Sequence, residues 1–124
     1  MYTFKVALIN VLKKYISENN IFNTLPLNDD DNNPTYPFIV YKVKRIPKTP
    51  GYIYIVTIDI WDNKPNTIEL ERLTDIIAAG INFLSYDDET IVFHAYENLT
   101  QDIDTQEENL NRRQIQAEFN AYNQ

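Results

Sequence analysis

Tyr36-Pro-Phe-Ile-Val-Tyr41, then Tyr52-Ile-Tyr-Ile-Val-Thr-Ile-Asp-Ile-Trp61, then an amphipathic run that reaches Leu84, is the stretch that decides the fold. Both short runs are rich in β-branched and aromatic residues, which suit a pleated, half-buried surface. In the longer run Tyr52, Tyr54, Val56, Ile58 and Ile60 share one face, and Ile53, Ile55, Thr57, Asp59 and Trp61 share the other. The first face is wholly apolar and needs a cover. The second starts apolar and ends with a carboxylate beside an indole, the mixture expected of a face that another subunit covers in part.

The cover is predicted from two helices. Phe4, Ala7, Leu8, Val11, Leu12, Tyr15 and Ile16 recur at helical spacing, which predicts about four turns with Thr3 as N-cap and Asn19-Asn20 as the stop. The second stripe is Leu70, Leu73, Ile76, Ile77, Gly80, Ile81 and Leu84, with Thr67 or Asn66 as cap and Glu69 and Glu71 at the positive end. Gly80 inside that stripe predicts a close approach of backbone to sheet. Strands are predicted over Phe38–Arg45, Tyr52–Trp61, Thr90–Glu97 and Arg112–Tyr122. Ser85–Glu89 reads as an acidic turn and Asn98–Asn111 as a polar loop. The expected fold is therefore α+β, in the order α-β-β-α-β-β: an antiparallel or mixed four-stranded sheet with two helices packed on one face. The 124 residues make one domain, 1–124.

Composition excludes several kinds of chemistry. With no cysteine there is no disulfide, zinc-thiolate site or thiol nucleophile. With two glycines, Gly51 and Gly80, there is no glycine-rich phosphate loop. His94 is the single histidine and lies mid-strand, without a nucleophile and orienting acid at a recognisable spacing. Asp59 and Asp62 flank Trp61, but on a continuous strand they diverge to opposite faces. Asn28–Asn33 is acidic yet lacks the alternation, central glycine and closing glutamate of a calcium loop. The expectation is a non-enzymatic protein with no cofactor and no metal. Lys5, Asn10, Lys13 and Lys14 interrupt the apolar N-terminal residues, so neither a signal core nor a membrane span is expected.

Charge is unevenly placed. Residues 1–86 carry nine acidic and nine basic side chains, and residues 87–124 carry nine acidic ones against Arg112 and Arg113, which accounts for the net charge of -7. Such a surface disfavours nucleic-acid backbone. Against that trend, Lys42, Lys44, Arg45 and Lys48 gather on one strand end and its turn.

The layout as a whole resembles the tail-terminator, or tail-completion, proteins of long-tailed bacteriophages. The likeness lies in the N-terminal helix, the Tyr36–Tyr41 strand start, a strand ending Val-Thr-Ile-Asp-Ile-Trp-Asp (Val56–Asp62), the helix start Glu69–Ile77 and a last strand alternating Gln114–Phe119. The resemblance implies a structural virion protein, made in the host cytoplasm and ending in the tail or neck. Such proteins form a ring, usually hexameric, that caps the tail tube, stops its polymerisation and docks the tail to the head-tail connector or stopper. Genome DNA passes through the lumen without being read. On that reading Arg45, Lys48, Ile53, Ile55, Trp61, Asp102 and Asp104 are candidate interface residues. The alternatives are another neck component, such as a stopper or head-closure protein, and a small non-enzymatic protein-binding module.

Overall fold

The computed structural model describes residues 1–26 and 35–124. Elements follow in the order α1 (Tyr2–Leu12), a 3-10 turn (Glu18–Asn20), β1 (Ile21–Phe22), β2 (Phe38–Pro47), β3 (Tyr52–Asp62), α2 (Ile68–Ile81), β4 (Leu84–Asp87), β5 (Ile91–Ile103) and β6 (Asn111–Asn123). They build one curled sheet of six strands, ordered β1-β2-β3-β6-β5-β4. All pairings are antiparallel except β1 with β2, so the sheet is mixed.

The expected four-stranded sheet is overturned, because two short strands extend it at its edges. β1 is two residues long and adds Ile21 and Phe22 beside Ile39 and Val40. β4 occupies most of what read as an acidic turn. Its Ser85 and Asp87 point outward while Tyr86 stacks on Phe93 with ring centroids 4.7 Å apart. Four residues with two polar side chains leave too little alternation to be recognised. The polar loop also shrinks, since β5 runs on to Ile103.

A β-bulge explains how β5 can continue. Glu97 pairs with Ala117 and Leu99 with Gln116, leaving Asn98 as the extra residue, while Asn82 Oδ1 accepts the Glu97 N–H at 3.1 Å. Before the bulge, even-numbered residues of β5 face away from the helices. After it they face toward them, so Asp102 lies opposite Arg113.

The core lies between the helices and one sheet face. Phe4, Leu8, Val11 and Leu12 of α1 and Leu70, Ile77 and Ile81 of α2 pack on Tyr54, Val56, Ile58, Ile60, Phe93, Ile115 and Phe119. Phe4 is its centre, stacked on Tyr54 at 4.0 Å and edge-on to Phe93 and Phe119 at 5.6 and 5.3 Å.

Helix ends depart from expectation in several places. α1 stops at Leu12, and Tyr15 and Ile16 pack on the core from the turn that follows. Thr3 lies inside the helix, where the Met1 carbonyl accepts the Lys5 N–H at 2.9 Å. Asn19 and Asn20 belong to the 3-10 turn, and Asn20 Nδ2 donates to the carbonyls of Thr35 (3.2 Å) and Pro37 (3.1 Å), tying that turn to the start of β2. At α2 Thr67 holds the N-cap position, but Asn66 supplies the oxygen, accepting the Ile68 N–H at 2.9 Å. Ile76 is exposed, and Thr74 is buried instead, its hydroxyl donating to the Leu70 carbonyl at 2.7 Å. The close approach at Gly80 is to the Tyr15 phenol and not to the sheet.

Gly51 closes the β2–β3 hairpin with φ +86°, and a Cβ there would overlap the Ala121 carbonyl of β6. Backbone cannot swing aside as a side chain can. Gly51→Ala is expected to cost about 2 kcal/mol or more, read as a drop in thermal midpoint. A variant that melts with the wild type would show that the hairpin adjusts freely.

Candidate interaction surface

The face of the sheet away from the helices is organised by cross-strand rows. Phe38, Trp61 and Arg112 are register partners on β2, β3 and β6. The Phe38 and Trp61 rings stack at 6.1 Å, and the Arg112 guanidinium lies over the indole at 5.2 Å. The next row holds Val40, Asp59 and Gln114. Asp59 is only 5% exposed, and its Oδ1 accepts from Arg112 Nε at 2.9 Å and Gln114 Nε2 at 3.0 Å. Gln114 Oε1 in turn accepts from Gln101 Nε2 (2.9 Å) and Gln116 Nε2 (3.1 Å). Burying a carboxylate is costly unless it is paired and hydrogen-bonded, as Asp59 is here. Asp62 lies on the opposite face, so the two carboxyls flanking Trp61 do diverge.

Beside that row opens a cavity of about 300 Å³, walled by Tyr36, Phe38, Trp61 and Leu110, with the exposed carboxyls of Asp104 and Glu107 among its lining. The Trp61 indole N–H is buried and finds no acceptor among the described residues. Asp104 stands just past β5, its Oδ1 accepting the Gln106 N–H at 2.9 Å in the turn that joins β5 to β6.

The seven candidate interface residues do not form one surface. Trp61 and Asp104 meet at the cavity. Ile53 and Ile55 lie on the same sheet face but toward the β2–β3 hairpin, beside Ile46 and Lys44. Lys48 sits in that hairpin, where its N–H donates to the Gly51 carbonyl at 3.1 Å. Arg45 pairs with Tyr54, which puts it on the helix side, with its guanidinium over the Tyr52 ring at 4.7 Å. Asp102 is turned to the helix side by the bulge. There it and Glu71 of α2 share Arg113, with contacts of 2.7 and 2.5 Å.

Phe38, Gln114, Arg112, Tyr36 and Leu110 also belong to this region, though no local pattern marks them as interface residues. The missing information is strand order. Gln114 and Arg112 meet Asp59 and Trp61 only because β6 inserts between β3 and β5, which no local pattern encodes. The acidic stretch Asn28–Asn33 lies outside the described residues.

Elsewhere, His94 Nδ1 lies 2.9 Å from Ser85 Oγ at the exposed β4–β5 edge, and no carboxylate among the described residues bonds to the imidazole. Burial pushes the Tyr41 and Tyr54 phenols above their ordinary range, so both remain neutral. Among the described residues the one strongly shifted acid is Asp88, held down to about 2 by the Thr90 hydroxyl and N–H and the Tyr86 hydroxyl. A carboxyl depressed on folding contributes stability above its unfolded value of 3.8 and loses it as pH falls toward about 2. Thermal midpoints of wild type and Asp88→Ala should therefore differ at pH 6 and converge as the pH falls from about 4 to about 2. A constant difference would show that the charge is not what matters.

Among the described residues no helix is long and apolar enough to cross a membrane. No protein-family model matches the sequence, and no curated protein sequence does. Among solved structures, a chain of a particle described as the virion of a native gene transfer agent (GTA) matches with a TM-score of 0.59 at 7% identity, over 90% of this chain and 84% of that chain. At that identity the likeness is one of fold, and it spans nearly the whole of both chains.

Proposed function

We propose that this chain is a structural protein of a phage-type virion, and more specifically a tail terminator. On this reading copies of it form a ring that caps the tail tube, stops tube growth and joins the tail to the head-tail connector, with DNA passing through the lumen unread. The observation that carries the reading is the fold shared, over 90% of this chain, with a component of a gene transfer agent virion. The sheet supports a building role over a catalytic one. Its most buried acid on the outer face, Asp59, is held by Arg112 and Gln114. The partners are sister copies, the tail-tube protein and the connector or stopper.

Electron micrographs of tails assembled with and without the protein test this. Capped tails of uniform length in its presence, and overlong or headless tails in its absence, are the expected result. Normal tails without it would overturn the reading. Co-purification with filled heads instead of isolated tails would reassign the chain to a stopper role.

A further inference from the structure

Two loops at opposite ends of the sheet carry opposite charge, although the acidic β4–β5 turn shares the end of the basic one. Between residues 42 and 51 stand Lys42, Lys44, Arg45 and Lys48 with no acidic residue, and between residues 104 and 111 stand Asp104, Glu107 and Glu108 with no basic one. All seven side chains are exposed or partly exposed, and none of them forms an ion pair with a described residue. Lys48 and the carboxylates of the 104–111 turn cannot meet within one chain. β3 runs from the basic hairpin at Tyr52 to the acidic turn at Asp62, and eleven residues at strand rise separate the two ends by about 30 Å.

The acidic end also has a receptacle. Its turn borders the cavity walled by Tyr36, Phe38 and Trp61, where aromatic faces and the carboxyls of Asp104 and Glu107 lie together. Arg112 also lines the cavity, but it is paired with Asp59, so a long basic side chain could lay its alkyl stem on the rings while its cation faces the exposed carboxylates of Asp104 and Glu107. The basic hairpin carries Pro47 and Pro50, and the Gly51 carbonyl accepts the Lys48 N–H at 3.1 Å, which limits the ordering entropy of presenting Lys48.

We infer that the β2–β3 hairpin of one copy docks at the Trp61 cavity of the next, Lys48 and its basic neighbours meeting Asp104 and Glu107. This deepens, and rests on, the reading of the chain as a ring subunit, because it names the surfaces by which sister copies join. The contact is head-to-tail: one copy gives its hairpin and receives another at a different place. Such contacts close into a ring when the rotation between copies permits. Complementary charge sets the pairing and its orientation, and salt weakens it.

The absence of native cysteine makes a direct test possible. Lys48→Cys and Glu107→Cys variants, each with one thiol at an exposed site, are mixed in equal amounts and oxidised at low ionic strength. The ratio of mixed disulfides, between positions 48 and 107, to like-with-like ones is expected to exceed its statistical value of about one by at least about fivefold, and raising salt to about 0.5 M should erase most of that excess. Statistical proportions of mixed and like-with-like dimers would overturn the inference. A second arm uses charge reversal. Lys48→Glu and Glu107→Lys copies should each resist docking with their own kind and recover it when combined, since each then offers what the other lacks; no recovery counts against the inference. Failure here with overlong tails in the micrographs would leave the terminator reading standing with another contact surface. Mixed disulfides with unaffected tails would leave the docking standing and remove the terminator reading.

Discussion

Phe4→Ala is expected to lower stability by about 3–5 kcal/mol, the largest loss foreseen for any single substitution in this chain. Phe4 is fully buried and lies flat on Tyr54 while its edges meet Phe93 and Phe119, so one side chain joins α1 to β3, β5 and β6. Truncation removes the buried apolar area and leaves a cavity that three other rings must either tolerate or collapse into. Sheet rings cannot follow, because their strands are held by pairing on both sides. α1 can move, yet it would have to withdraw Leu8, Val11 and Leu12 as well. Thermal unfolding should show a midpoint lower by about 10–20 °C. Tyr2→Ala, two residues away on the exposed side of the same helix, should change stability by less than about 0.5 kcal/mol. Equal effects for the two would mean that α1 does not dock as described.

The second large effect is expected at Asp59. Removing its carboxylate in Asp59→Ala strands the Arg112 guanidinium and the Gln114 amide, and it breaks the chain of side-chain hydrogen bonds that runs on to Gln101 and Gln116. Arg112 keeps 27% of its side chain in solvent and can recover part of its hydration, so the cost should be about 2 kcal/mol and not the larger figure of a fully enclosed pair. Trp61 is the sole tryptophan and reports the same event. Arg112, once released from Asp59, loses its fixed place over the indole, and the emission of Trp61 should change in the folded variant. Unchanged stability together with unchanged emission would show that the network is ornamental.

These two residues illustrate different degrees of legibility. Phe4 was visible as a core residue because a helix repeats every 3.6 residues and its apolar positions follow that period. The same holds for the buried face Tyr54, Val56, Ile58 and Ile60, where a strand alternates every two. Asp59 was visible only as an oddity beside a tryptophan. What neutralises it comes from residues more than fifty positions away, brought alongside by the insertion of β6 between β3 and β5. β1 and β4 fell below recognition because strands of two and four residues carry too little periodicity, and they form by pairing with longer neighbours. Asp102 shows the point most sharply. Counting along the strand would send it outward, and one bulge residue, Asn98, turns it inward to share Arg113 with Glu71.

The amino-acid sequence by itself determined the helix stripes, the apolar face of β3, the alternation of β6 and the separation of basic and acidic stretches, since all of these are local patterns repeating over a few residues. Only the tertiary structure decided the six-stranded order, the partners of Asp59 and the cavity at Trp61. It also decided that the basic hairpin and the acidic turn stand at opposite ends of one sheet. Those features depend on which distant strands pair and in what register, and pairing is chosen by the packing of the whole core.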